Sequence, residues 1–281
     1  MKNMKKIWAM LLALTMILSL AACGGSKEEA PAKTEEPAAT EEPAAEEPAA
    51  DSDLAYVQDK GVLVVGITDF EPMDYKDANG NWIGFDADMA VAFAESLGVD
   101  VEFVEIDWDN KILELNSKTI DCVWNGMTLT DEVTSAMECS NAYCNNAQVV
   151  IVPADKADQY QTVEACAGLA FAVEAGSAGE AEVSALGYSC TPVKAQSDAL
   201  MEVAAGTSDA AVIDSLMAAA MVGEGTSYAD LAPGISLSSE EYGIGFRKNS
   251  DVTAKVNELL AKYKADGTLQ ALADKYSLTL A

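Results

Sequence analysis

The 281-residue chain has no histidine and a single arginine, Arg247. Without histidine it lacks the commonest general base and the commonest imidazole metal ligand. Positive charge is scarce altogether: 17 Lys and Arg stand against 46 Asp and Glu, a net charge of −29. Nucleic acid and anionic lipid surfaces both require cationic patches, so neither is an expected partner. There is no P-loop, no G-x-G-x-x-G, no G-x-S-x-G and no C-x-x-C. Beyond residues 7–20, no apolar run approaches the length that crosses a membrane.

What is present begins with an export signal. Lys2, Lys5 and Lys6 form a positive start, and Ile7 to Leu20 is an apolar stretch too short to span comfortably. It ends in Leu20-Ala21-Ala22-Cys23-Gly24. That box resembles a bacterial lipoprotein signal, which implies cleavage of residues 1–22 and lipidation of Cys23. Cleavage removes three of the 17 basic residues and no acid, leaving 14 against 46 and a mature charge of −32. Residues 23–52 repeat Glu-Glu-Pro-Ala-Ala with few bulky apolar side chains. Such a segment cannot offset its chain entropy by burial, so it reads as an extended acidic linker. The remaining cysteines, Cys122, Cys139, Cys144, Cys166 and Cys190, are odd in number, and Cys139–Cys144 is the one close pair.

The body of the chain alternates strand and helix. Gly61–Ile67 is an apolar run read as a buried strand, leading into Asp69, Phe70, Glu71 and Pro72. Asp86 reads as the cap of a helix carrying Met89, Ala90, Phe93 and Leu97, stopped by Gly98. A strand over 99–106 ends at Trp108, a short helix follows over 112–115, and 121–124 is a further strand. Asn125-Gly126 reads as a turn, and Thr130 as a helix N-cap with Asp131 and Glu132 in the first turn. Then come strands at 148–153 and 169–173, and a Ser177-x-x-Glu180 capping box behind Gly176. A helix over 195–205, a strand over 210–213 with Asp214 opening the next helix, a strand over 242–247 and two closing helices complete the pattern. Alternation of this kind predicts an α/β fold with parallel sheets, whose ligands gather at the carboxyl ends of the strands. Taken alone, 121–137 is an ordinary strand-to-helix connection. The polar and aromatic clusters ending the neighbouring strands make it one wall of a site.

The ordered set Gly84-Phe85-Asp86-Ala87-Asp88, Trp108-Asp109, Asn125 to Glu132, Glu174-Ala175-Gly176-Ser177, Ser208 to Asp214, Tyr242-Gly243-Ile244 and Ala265-Asp266-Gly267-Thr268 resembles the amino-acid-binding family of extracytoplasmic solute-binding proteins of ABC importers. The resemblance implies the two-lobed periplasmic-binding-protein-like (type II) α/β fold with two hinge crossings. Lobe 1 would comprise 53–146 plus 242–281, and lobe 2 147–241. It implies a monomer without cofactor or metal, tethered by lipid to the outer face of the cytoplasmic membrane. Its partners would be a small-molecule ligand, an amino acid or amine, and an ABC permease. Carried over by position, Asp69, Phe70, Trp108, Asn125, Gly126 and Thr128 line the cleft from lobe 1. Glu174, Ser177 and Asp214 face them, with Asp214 accepting the ligand ammonium through charge-assisted hydrogen bonds.

The departure from the family pattern is Val133, where relatives carry an arginine that clamps the ligand carboxylate. The expected cleft therefore holds Asp69, Glu174 and Asp214 and no cation legible from sequence. Two ligand classes follow: an amino acid whose carboxylate is held by neutral donors at Thr128, Ser177 and backbone N–H groups, or a cationic ligand such as a basic amino acid or an amine lacking a carboxylate. Enzymes also occur on this fold, dehydratases and lytic transglycosylases among them, and would use cleft carboxylates as acids.

Overall fold

The computed structural model describes residues 52–280; the signal segment 1–22, Cys23 and the linker as far as residue 51 lie outside them. The described chain opens with a helix that the sequence reading missed, α1 (Asp53–Lys60). Its signals are local: Ser52 Oγ accepts from Ala55 N at 3.0 Å, and Gly61 ends it in the left-handed conformation. Strand β1 (Val62–Ile67) follows, then a small antiparallel pair, β2 (Tyr75–Lys76) with β3 (Trp82–Ile83).

Helix α2 (Phe85–Leu97) buries Phe85, Met89, Ala90 and Phe93, the i, i+4 spacing of a single core-facing stripe. Burial of each large side chain contributes roughly 1.5–3 kcal/mol. Asp86 is not its cap: Gly84 holds that place, and Asp86 sits fully buried inside the first turn. Next come β4 (Asp100–Glu105), α3 (Lys111–Asn116), β5 (Cys122–Thr128) and α4 (Asp131–Ala136). Thr130 caps α4 as expected, accepting from Val133 N at 3.2 Å. Asn125-Gly126 is not a turn: β5 continues through it to Thr128, because Thr128 pairs with Tyr242 across the sheet.

Short strands β6 (Glu138–Cys139) and β7 (Cys144–Asn146) lead to β8 (Gln148–Pro153). After β9 (Phe171–Glu174) come α5 (Ala178–Ala185), β10 (Cys190–Val193), α6 (Gln196–Ala205), β11 (Ala210–Asp214) and α7 (Ser215–Met221). Strands β12 (Leu231–Ser236) and β13 (Glu240–Phe246), then α8 (Val252–Asp266) and α9 (Thr268–Lys275), finish the chain.

Two sheets result. The first has the order β4-β1-β5-β13-β6, with β7 also paired to β13; the second has β10-β9-β11-β8-β12. The expected parallel pairing holds for β1 with β4 and β5, and for β9 with β10 and β11. Strands β8, β12 and β13 run antiparallel, so both sheets are mixed. The chain passes from one sheet to the other at β7–β8 and returns between β12 and β13. These passages pair with each other antiparallel, Glu240 with Asn146 and Tyr242 with Cys144. All five cysteines of the described residues are unpaired, Cys139 and Cys144 included. No helix among the described residues is long and apolar enough to cross a membrane.

The single arginine is structural. Arg247 follows β13, is 8 % exposed, and donates through Nε to both Asp53 carboxylate oxygens at 3.0 Å. It also donates to the carbonyls of Ile120 (2.9 Å) and Leu115 (3.4 Å) and to Asp121 Oδ1 (3.4 Å).

Candidate functional site

A cavity of about 220 Å³ lies where the strand ends of both sheets meet. It falls below the ~300–1,000 Å³ of pockets for drug-sized ligands, which suits a small metabolite. Phe70, Trp108, Asn125, Gly126 and Thr128 line it from the first sheet's side, and Glu174, Ser177 and Asp214 from the second's. Eight of the nine expected residues are thus brought together. The ninth, Asp69, is exposed and faces a separate depression with Glu71, Tyr75 and Lys76. Two further corrections concern how the eight are used. The Asn125 side chain turns inward, accepting from Thr68 N and Oγ1 and donating to Thr68 O and Asp74 Oδ2. The Gly126 amide is likewise committed, donating to Asp86 Oδ2 at 2.7 Å, so neither group is free for a ligand.

The aromatic floor is built from the core outward. Phe70 is 2 % exposed and meets Tyr242 edge-on, centroids 6.4 Å apart at 84°. A side chain at Gly126, which has φ +54°, would come within 2.6 Å of the Phe70 ring, so glycine there lets the ring and strand close together. Val133 also lines the cavity, packed with Trp108 and Met127 in an apolar cluster, which puts the position lacking the arginine in the cleft wall.

The polar wall is a buried network. Asp214 accepts from Gln148 Nε2 at 2.7 Å and from the side-chain amides of Asn146 and Gln196. It caps α7 by position only; its side chain makes no cap hydrogen bond. Glu240 Oε1 accepts from the same Asn146 and Gln148 amides (2.6 and 2.7 Å) and from Thr128 Oγ1 (2.9 Å). Two carboxyls fed by the same two amides crowd each other. Burial, then the Glu240 charge, pushes the Asp214 carboxyl upward. Glu174, at the end of β9, is 2 % exposed, and its Oε1 has no hydrogen-bond partner among the described residues. Burial, with Asp214 second, raises it to about 8. Ser177 caps α5, accepting from Glu180 N at 3.0 Å, while Glu180 Oε2 accepts from Gly176 N at 2.7 Å. The Ser177 hydroxyl proton is left to offer to a ligand.

These carboxyls carry a pH prediction. A carboxyl whose pKa rises on folding holds its proton in the native state between its ordinary value near 4.5 and about 8. Stability therefore falls as pH rises through that window. Glu174→Gln should melt higher than the wild type at pH 8 without ligand, by roughly 2–4 °C per kcal/mol relieved. The gap should narrow toward pH 5; calorimetric scans showing a gap independent of pH would refute this.

The expectation of a cleft without a cation is also corrected. Lys111, the first residue of α3, lines the cavity and is 5 % exposed. Its Nζ donates to Gly176 O at 2.8 Å and Trp108 O at 3.2 Å, and lies 5.0 Å from the Trp108 ring centroid. Nothing local in the sequence marks it, since it opens an ordinary short helix. Its partner Gly176 is 65 residues away.

Comparison with known proteins adds the family. Residues 63–279 match the family described as bacterial extracellular solute-binding proteins, family 3. The chain is 27 % identical over 282 residues to the arginine-binding extracellular protein of Bacillus subtilis (strain 168), covering 97 % of this chain and 98 % of the relative. Among solved structures, a mutant of ArgBP from T. maritima is 33 % identical with a TM-score of 0.74, covering 80 % of this chain and 98 % of its own. An ancestral amino acid-binding protein, a precursor of cyclohexadienyl dehydratase, is 32 % identical with a TM-score of 0.73, covering 80 % and 99 %. The fold is the type II periplasmic-binding-protein fold, and with the match running over nearly all the described residues, the chain belongs to family 3 of the bacterial extracellular solute-binding proteins.

Proposed function

We propose that this protein captures an amino acid or a related cationic amine between two lobes, 53–146 plus 242–281 and 147–241, and delivers it to an ABC permease. Lipid on Cys23 tethers it to the outer face of the cytoplasmic membrane, with residues 23–52 as the stalk. The observation that carries the reading is the Glu174 carboxyl, buried beside Asp214 with an oxygen lacking a partner among the described residues. A buried acceptor of this kind calls for a ligand that brings a charged donor. An ammonium or guanidinium between Glu174 and Asp214 supplies the compensating charge.

A wider depression of about 650 Å³ adjoins the cleft, sharing Thr128, Thr130 and Asp131 with it and carrying Glu182, Glu240 and Glu241. Its carboxylates draw cations toward the mouth. The arginine-binding relatives fit the same chemistry. Calorimetric titration of the mature protein with L-arginine, L-histidine, agmatine, histamine and neutral amino acids should find a cationic ligand bound at micromolar Kd or tighter. Binding of none of these compounds would sink the reading. Because a carboxyl raised to about 8 could also act as a general acid, the same mixtures assayed for turnover test the enzyme alternative, expected to show none.

A further inference from the structure

The cleft buries an ammonium and a carboxyl without joining them. Lys111 makes no ion pair among the described residues, and Glu174 Oε1 makes no hydrogen bond. Both line one cavity. An ammonium has three N–H donors, and two of those on Lys111 go to the carbonyls of Trp108 and Gly176. One donor and a full positive charge remain. Leaving a buried ammonium without a carboxylate in contact and a buried carboxyl oxygen without a donor is costly, and direct pairing would relieve both. Since they stay apart, the economical partner for the two is one small molecule bearing both signs.

We propose that Lys111 anchors the ligand's carboxylate, so that the ligand is an amino acid with its carboxylate intact rather than an amine lacking one. The proposal rests on the reading of this cavity as the ligand site. The ammonium goes to Asp214 and Glu174, and the carboxylate to Lys111, with the Ser177 hydroxyl as second donor. The two carbonyl bonds fix the Lys111 ammonium from both walls, Trp108 from one and Gly176 from the other. A side chain at Gly176, whose φ is +70°, would stand 2.7 Å from the Asp109 Cα, so the glycine is what brings its carbonyl this close to α3. Val133, on α4, brings no cation to that side of the cavity, where Thr130, Asp131 and Glu132 line it as well. The positive charge thus reaches the cleft from α3 instead. Burial lowers the lysine's hold on its proton, and the carboxylates of Glu132, Glu174, Asp109 and Glu180 act the other way. A lysine offers a point charge where an arginine offers a planar fork. Selection should therefore follow the ligand's negative charge more than its carboxylate geometry.

The test uses matched sets: L-arginine, L-argininamide and agmatine, and L-histidine, histidinamide and histamine, titrated calorimetrically at pH 7. In the wild type the free acid of at least one set should bind about 10- to 100-fold tighter than its amide and amine, the range expected for a buried charge-assisted contact. Lys111→Met should reduce that ratio to about 3-fold or less, with amine affinity nearly unchanged. Lys111→Arg should keep the preference. A merely structural lysine would change all affinities together and leave the ratios alone. A wild type binding amine and acid equally, or Lys111→Met retaining the preference, overturns the proposal while sparing the cleft reading. A wild type binding none of the six, nor any neutral amino acid, overturns both. Should Lys111→Met fail to fold, the wild-type ratio and the Lys111→Arg ratio still decide.

Discussion

Asp214→Asn is expected to weaken binding of an ammonium-bearing ligand by about 100-fold or more, the loss that follows when a buried charge keeps its site and loses its counter-charge. Asp214 is 4 % exposed and takes hydrogen bonds from Asn146, Gln148 and Gln196. The three donors orient its oxygens at the cavity edge, and an asparagine keeps the shape while removing the charge. The sign of the pH effect follows from its raised pKa, caused by burial and then by Glu240. At low pH the carboxyl holds a proton that an incoming ammonium must displace. Wild-type affinity should rise with pH across the neutral range and level off once the proton is gone. Asp214→Asn should lose part of that slope, Glu174 supplying the remainder. Titrations at pH 5.5, 7 and 8.5 measure both effects; an Asp214→Asn variant with wild-type affinity would remove Asp214 from the ligand site.

Arg247→Ala is expected to cost about 3–5 kcal/mol, because it leaves partners of a buried ion pair uncompensated. Asp121 is 2 % exposed and keeps Lys60 Nζ at 2.5 Å and Val64 N at 2.9 Å, but Asp53 loses its bidentate contact. The carbonyls of Ile120 and Leu115 lose a donor as well. The melting temperature should drop by roughly 6–20 °C for a folded unit of this size. Affinity, measured where the variant is still folded, should stay within about 2-fold, since Arg247 lines none of the cleft. A stable variant with lost binding would instead assign the arginine to the ligand.

The features legible in sequence are those set by neighbours a few residues away. Gln148–Pro153 is a strand because its apolar run is short and ends at proline. Thr130 and Ser177 are caps because their oxygens reach an amide three residues on. Eight of the nine residues expected in the cleft line one cavity. What escaped was decided by distant partners. Asn125 turns inward because Thr68 and Asp74 meet it there. The Gly126 amide is spent on Asp86, 40 residues earlier. Lys111 enters the cleft because a carbonyl from the other sheet's side meets it. Asp69 fell away because β1 stops at Ile67 and Phe70, not its neighbour, turns toward the cavity.

The connectivity of the sheets also sets an order in time. The second sheet draws all five strands from the continuous stretch between Gln148 and Ser236. The first has β13 between β5 and β6, so more than a hundred residues separate β5 from the strand that covers its edge. During synthesis β5 therefore stands with one edge unpaired until Phe246 has emerged, while the second sheet needs nothing beyond its own span. An uncovered edge of an apolar strand is where stray pairing with another chain begins. The first half of this protein waits longest for its fold, and protection by a chaperone would matter most there.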